Sequence, residues 1–410
     1  MSPADSDLLL PFDPNEPVDL AQQLIRIPSP LWGESDVANW LCRWFETRNF
    51  EVDLQEVPLR DGRVSHQAIG ILKGNGSGPS LMLCGHTDTS DWNGRPFRED
   101  EWTHDPFGGD VVDGYLYGLG AINMKAGLAA NLVAADVVRR ASTERSGDLI
   151  VACVIAETGG GVGALHLIES GYRPDYCIVS EASNLDVGLI SVGYVQGRIR
   201  ILGEFKARVP YRNPIEKALA VVGELGPSYE PLVSRSTGGW IDFEPHPLLP
   251  GFPRIAVRDI SHDQDVTTLM FDLRIPPGVT EESATRDLQA LLERLRERDP
   301  EFAYELVVPQ SDQQPNMPAR AATSSAEPLV EELVRAHRFV VGEEPVVGAG
   351  HRIGATTDSS HFKGVGIRCV DYGPGFIPNW PMVDERVEVE QLVTATRVLA
   401  LTTSSLLSQQ

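Results

Sequence analysis

The sequence predicts an α/β protein: a larger domain built on a largely parallel sheet flanked by helices, interrupted by an inserted α+β, ferredoxin-like domain. Three observations carry this. The runs Leu81 to Cys84, Leu149 to Ala156 and Tyr176 to Val179 are continuously apolar, as strands covered on both faces are. Each stops abruptly at polar residues (His86 and Asp88, Glu157 and Thr158, Ser180 and Glu181) and is followed by a helix or loop, the βα repeat of a parallel sheet. Near Ser191 the continuous runs give way to alternating segments, the mark of a sheet with one open face. A chain of 410 residues also exceeds what one core usually fills. The expected division is a discontinuous larger domain, 1–190 and 311–410, around an inserted domain, 191–310.

In chain order, a helix starts near Val18 and breaks at Ile27-Pro28-Ser29-Pro30. A second helix runs from about Ser35 to Arg48, with Val37, Leu41, Trp44 and Phe45 at helical spacing. Phe50 to Leu54 and His66 to Leu72 alternate like strands. The first buried strand follows, then a glycine-rich loop with Trp92 and Trp102, then Gly118-Leu119-Gly120-Ala121-Ile122-Asn123-Met124-Lys125 opening an alanine-rich helix. In the insert, Gly197 to Glu204 and Thr267 to Ile275 read as strands, Pro214 to Leu225 and Glu281 to Arg298 as helices, and Tyr304 to Val308 as a last strand. Gly226 to Ile260, rich in Pro, Gly and aromatics, is expected to be a long loop. After a polar linker, Ser311 to Ser325, the pattern returns: a helix from Leu329 to Val341, a strand from Ile367 to Val370 ending at Asp371, and a closing helix from Val389 to Leu406.

Composition excludes several function classes. A formal charge of −23 leaves no basic surface for a nucleic-acid backbone, so no nucleic-acid partner is expected. No apolar run reaches the roughly 18 to 20 residues of a membrane helix, so no membrane partner is expected either. Met1 to Asn15 lacks the basic and apolar regions of a signal peptide. Five cysteines do not form a disulfide framework; Cys84, Cys153, Cys177 and Cys369 lie in apolar runs and read as small core residues, while Cys42 sits on a helix. Reduced thiols place the chain in the cytoplasm.

Function is expected at the carboxyl edge of the sheet, where open α/β sheets hold their ligands. His86 and Asp88 read as a proton-shuttling pair or as a buried hydrogen-bonded pair. Glu157, before Gly159-Gly160-Gly161, reads as an acid/base carboxyl or as a carboxylate at a helix N-terminus.

The ordered landmarks Leu24 to Pro30, Gly85-His86-Thr87-Asp88-Thr89, Asp105-Pro106-Phe107, Gly118 to Lys125, Arg274 with Pro277-Gly278, Thr357-Asp358 and Gly373-Pro374-Gly375 resemble the zinc amidohydrolases that include acetylornithine deacetylase, succinyl-diaminopimelate desuccinylase, aminoacylase and carboxypeptidase G. The resemblance runs from about residue 18 to the C-terminus. It implies that the larger domain, 1–190 and 311–410, is catalytic and the insert, 191–310, a dimerisation or lid domain. It also implies a homodimer, an N-acylated or otherwise derivatised amino acid as substrate, and two zinc ions sharing a carboxylate and a water.

The metal ligands do not all carry over. His86 and Glu181 match the first ion, but the shared carboxylate is Asn123, the second ion's Glu is Thr158, and its C-terminal His, four residues before Glu385, is Pro381. Two divalent cations facing one first-shell carboxylate would leave uncompensated charge in a partly buried cleft. No zinc pair is therefore expected, and no metal cofactor; a single divalent metal, zinc, would sit on His86, Asn123 and Glu181. The inserted domain's oxyanion His is replaced by Ala207, flanked by Lys206 and Arg208.

The expected catalytic residues are Glu157, His86 and Asp88, and the expected substrate-binding residues are Arg274, Asn123, Thr158 and Asp358. Arg274 matches a position near the substrate carboxylate, or reads as a structural ion-pair residue; Asp358 could instead cap backbone. His351 and His361 read as surface loop histidines, or one of them as reaching the vacated metal site. The function expected is a metal-independent acyl or aminoacyl transfer, a cyclisation, or cleavage of a labile acyl bond, because water without a Lewis acid attacks amides poorly. A non-catalytic ligand-binding homologue and a deacylase or peptidase with one remodelled metal are the alternatives.

Overall fold

A computed structural model describes residues 8–9, 12–59, 61–89, 99–141, 144–204, 212–309, 315–350, 355–376 and 383–408. Contacts divide the chain into two compact units. One is Ser191–Ala321 with a short return at Thr356; the other comprises the segments before and after it.

The larger unit begins with α1 (Asn15–Ile25), α2 (Ser35–Glu46) and the antiparallel pair β1 (Glu51–Pro58) and β2 (Val64–Leu72). It continues with β3 (Leu81–His86), β4 (Val111–Val112), β5 (Tyr115–Tyr117), α3 (Ala126–Arg140), β6 (Leu149–Val154), α4 (Val162–Glu169), β7 (Tyr176–Val179) and β8 (Val187–Gly188). The eight-stranded sheet has the order β1-β2-β6-β3-β7-β14-β8-β13, where β13 is Val347–Gly348 and β14 is Arg368–Asp371. The central run β6-β3-β7-β14 is parallel; β1, β2 and the β14–β8 contact make the whole a mixed sheet.

Every residue of β3, β6 and β7 is buried, which is why these segments read as unbroken apolar runs. Their side chains split between two cores, one with Leu128, Leu132 and Leu399 and the other with Leu167 and Phe362. Alanines at 126, 129, 130, 134 and 135 let α3 lie close to the sheet. Gly127 marks the closest approach: a Cβ there would stand 1.8 Å from the Ser180 carbonyl oxygen. The stretch Ala121–Arg140 is long and apolar enough to cross a membrane by length and composition, which corrects the expectation that no such run exists. It is 94% buried within the protein, so core packing explains its composition.

The smaller unit runs β9 (Gly193–Leu202), α5 (Pro214–Leu225), β10 (Arg254–Asp263), β11 (Val266–Ile275), α6 (Glu281–Arg298) and β12 (Ala303–Val307), with sheet order β10-β11-β9-β12. This βαββαβ order is the ferredoxin-like one. Strand β10 corrects the reading of Gly226 to Ile260 as loop. It is an edge strand buried only at Ile255 and Ala256, so the burial pattern that betrays other strands is missing.

The larger unit closes with α7 (Pro328–Val341), the short helix α8 (Ser359–Gly364), β15 (Arg386–Glu388) and α9 (Val389–Leu406). Strand β15 joins β5 and β4 in a small three-stranded sheet that the sequence did not announce. All five cysteines are buried and unbridged, Cys42 within α2.

Candidate active site at the strand ends

Strands β6, β3 and β7 pair in parallel with His86 opposite Val154 and Cys84 opposite Val179, so their carboxyl ends finish at one edge. His86 closes β3, Glu157 follows β6 and Glu181 follows β7. Between β6 and Glu157 the chain turns through Ala156 in the left-handed region, φ 54°. A non-glycine residue there is strained by about 1 to 2 kcal/mol. Gly161, at φ 74°, completes the turn into α4; a Cβ on it would meet His361 and Asp358.

The His86 ring is fully sequestered. Its Nδ1 lies 2.9 Å from the Asp88 carbonyl oxygen and 3.3 Å from Asp88 Oδ1, and so donates to that residue. Its Nε2 lies 3.2 Å from Asn123 Oδ1 and 3.4 Å from Glu181 Oε1. With Nδ1 carrying a proton, a neutral ring would aim a lone pair at two oxygens. A positive charge at Nε2, either a proton or a metal cation, satisfies both oxygens at once. Burial pulls His86 down, but the charges of Asp88 and Glu181 outweigh it and hold the imidazole well above its ordinary pKa.

The carboxylates divide into satisfied and unsatisfied ones. Asp88 accepts from the Glu157 and Thr158 amides at 3.0 and 3.1 Å and from the Thr158 hydroxyl at 2.6 Å. Burial raises it, yet the His86 charge and these donors keep it below the ordinary range. Burial, and then the charge of Glu181, hold Glu157 well above that range. Asp358 is likewise pushed well up by burial, and its Oδ1 has no hydrogen-bond partner among the described residues.

Of the sequence-predicted residues, His86, Asp88, Asn123, Glu157, Thr158 and Glu181 come together. Thr158, expected to touch substrate, has its hydroxyl turned onto Asp88. Arg274 belongs to the smaller unit, where it grips Asp272 at 2.9 and 3.1 Å, reaches Thr356 Oγ1 at 3.2 Å and lies over the Tyr194 ring at 4.0 Å. The expectation for His361 fails: it is buried in α8 and its Nε2 donates to the Gly160 carbonyl at 2.9 Å, beside the turn after Glu157. The helix of six residues is too short to show a period, so the sequence read it as loop. Trp92, Lys206, Ala207, Arg208, His351, Trp380 and Pro381 lie outside the described residues.

Of two further buried carboxylates, Glu34 escaped the sequence reading, and Glu385 entered it only as a landmark for the missing His. Glu34, fully buried, accepts from the Trp32 amide at 3.0 Å and the Ser65 hydroxyl at 2.8 Å; burial and then the Asp88 charge push it up to about 7. Glu385 anchors the loop that carries Asn123. Both sit in polar stretches that look like surface.

Ligand atoms of His86, Glu157 and Glu181 lie within 4.8 Å of one another, so this donor set fits one cation, with the Asn123 oxygen beside it. It does not fit a zinc pair. Asn123 brings no charge to bridge two ions, and the Thr158 hydroxyl is bound to Asp88.

Residues 82–405 match the sequence profile of peptidase family M20/M25/M40. The chain belongs to this family. It is 28% identical to the N-formyl-4-amino-5-aminomethyl-2-methylpyrimidine deformylase of Bacillus subtilis (strain 168), over 94% of this chain and 93% of that protein. It is 30% identical to a succinyl-diaminopimelate desuccinylase of Xanthomonas campestris pv. campestris (strain 8004), over 78% and 81%. A Staphylococcus aureus tripeptidase structure, at 17% identity, shares the fold with a TM-score of 0.73 over 97% of this chain and 99% of that one.

Proposed function

We propose that this M20-family chain is an enzyme acting on the acyl bond of a small, derivatised amino-acid-like substrate, with Glu157 as the proton carrier and without the family's metal pair. The observation that carries the reading is the charge arrangement around Glu157. A carboxyl held protonated by burial and by Glu181 is suited to give its proton to a leaving nitrogen or oxygen and to take one back in the next step. His86, kept cationic by Asp88 and Glu181, is the second proton-handling group. Similarity along nearly the whole chain to a deformylase, and along most of it to a desuccinylase, supports an N-acyl substrate.

In the metal-free form, positioning rather than water activation carries the rate, which favours acyl or aminoacyl transfer, cyclisation or cleavage of a labile acyl bond. The partner is then a small molecule, held in part by Asn123 and Asp358. A second reading is favoured by the His86, Glu157 and Glu181 cluster: one divalent cation on these residues and Asn123, supplying a Lewis acid for hydrolysis.

Elemental analysis of protein purified without chelator, together with turnover of N-formyl and N-succinyl amine substrates by wild type and Glu157→Gln, tests both. Less than 0.1 equivalent of metal with at least a hundredfold loss in the variant supports the first reading, on the scale that acid/base groups contribute, about 10² to 10⁴. One equivalent of zinc that chelation removes along with turnover supports the second. Unchanged turnover in Glu157→Gln refutes the role given to that residue, and two equivalents of zinc refute the loss of the pair.

A further inference from the structure

Asp384 and Glu385 were singled out because they complete the family's His-x-x-Asp-Glu pattern, although Pro381 stands at the metal-binding position. The structure gives both acids partners that have nothing to do with metal. Asp384 accepts from the Thr103 amide at 2.8 Å, the Thr103 hydroxyl at 2.6 Å and the His104 amide at 3.1 Å. Glu385, buried, turns the other way. Its Oε2 accepts from the Gly120 amide at 2.9 Å, its Oε1 from the Ile122 and Asn123 amides at 2.8 and 3.1 Å, and its own carbonyl from the Gly118 amide at 2.9 Å.

The backbone it holds is the part of the larger unit least able to hold itself. Asn123 and Met124 depart from helical geometry, with φ −121° and ψ 87° at Asn123, so the amides of Gly120, Ile122 and Asn123 are not committed to a regular ladder. A single ionised acceptor takes all three, and charge-assisted bonds of this kind are about twice as strong as neutral ones. On the far side of the same turn the fully buried Lys125 donates to the Leu24 carbonyl at 2.9 Å and the Ile27 carbonyl at 2.8 Å, capping α1; burial pushes its ammonium down to about 7, against the pull of Glu385. Glu385 and Lys125 thus hold the irregular chain from Gly118 to Lys125 from two sides. Two side chains of that stretch meet His86: Met124, whose Sδ accepts from the His86 amide at 3.3 Å, and Asn123, whose Oδ1 faces the ring at Nε2.

We propose that Glu385 is a positioning residue whose carboxylate, by gathering the amides of Gly120, Ile122 and Asn123, sets the Asn123 amide against the His86 ring. This deepens the functional reading above and rests on it only for the importance of His86 and Asn123. The contact itself is measurable without substrate. Strand β15 delivers Glu385 by pairing Arg386 to Glu388 with Tyr115 to Tyr117, so the clamp is tied to the same small sheet that leads into the Asn123 turn.

The test is the ring-nitrogen spectrum of the full-length chain labelled with ¹⁵N-histidine and treated with chelator, the His86 signals being assigned by their loss in His86→Gln. Asn123→Ala sets the reference displacement of the Nε2 signal. Glu385→Ala is expected to move that signal in the same direction by a similar amount while the other histidine signals hold. Adding Asn123→Ala to Glu385→Ala is expected to produce no further movement, the coupling that a shared route requires. Glu385→Gln, which keeps one acceptor oxygen, is expected to give an intermediate displacement and stands in if the alanine variant does not fold. An Nε2 signal left at the wild-type position in the Glu385 variants, or a double variant whose displacement equals the two single ones combined, overturns the proposal. Because no turnover is read, a Glu157→Gln variant that stays active would defeat the functional reading and leave this result standing.

Discussion

Replacing Glu34 by glutamine removes a charge that the fold sequesters beside Asp88. In the native state this carboxyl sits at about 7 against an ordinary 4.5, raised by burial first and by Asp88 second. The sign follows from which state holds the proton. Below 4.5 both folded and unfolded chains are protonated and nothing is lost. Between 4.5 and 7 the unfolded chain releases a proton that the folded chain keeps, so stability falls as pH rises, and above about 7 the full penalty is present. At about 1.4 kcal/mol per pH unit, wild type should lose about 2.5 kcal/mol from this group between pH 5 and pH 8. Glutamine keeps the shape and an acceptor for the Trp32 amide, and the Ser65 hydroxyl can rotate to accept from the new amide. Urea unfolding of both proteins at pH 5 and pH 8 isolates the contribution, since every other titrating group is common to the two. Glu34→Gln is expected to gain about 2.5 kcal/mol on wild type between the two pH values. A difference that does not change with pH, or that changes with the opposite sign, refutes the argument.

Thr158→Val removes the hydroxyl bond to an ionised Asp88 and should destabilise by about 1.5 to 3 kcal/mol in urea unfolding, the usual worth of a hydrogen bond to a charged group. Gly127→Ala places a Cβ against the Ser180 carbonyl and should destabilise by more than about 3 kcal/mol, read as a lowered unfolding midpoint, because backbone on both sides must move. The homodimer implied by the resemblance is tested at α5, where Ile215 and Leu219 are exposed one helical turn apart: Leu219→Lys should shift the chain toward monomer in sedimentation velocity if that face is the contact.

The three central strands were legible because each is buried on both faces, and a strand so placed has no option but an unbroken apolar run. The same logic marked their ends: His86, Glu157 and Glu181 stand where apolar sequence stops, and the parallel register brings them to one edge. Charge bookkeeping, too, was a matter of sequence, since Asn123 and Thr158 cannot supply the carboxylates a zinc pair needs. The edge strand β10 and the six-residue helix holding His361 were not legible, because neither buries enough of itself to impose a period.

What only the tertiary structure decided is which atom each polar group faces. Sequence offered Thr158 to the substrate, and the folded chain turns it onto Asp88; sequence left His361 at the surface, and packing buries it against Gly160. Glu34 and Glu385 lie 54 and 262 residues from Asp88 and Asn123, the groups they act on, as counted along the chain. Apolar burial is non-directional and leaves its trace in composition and spacing. A hydrogen bond joins two particular atoms within about 3 Å, and no local pattern records a partner that distant.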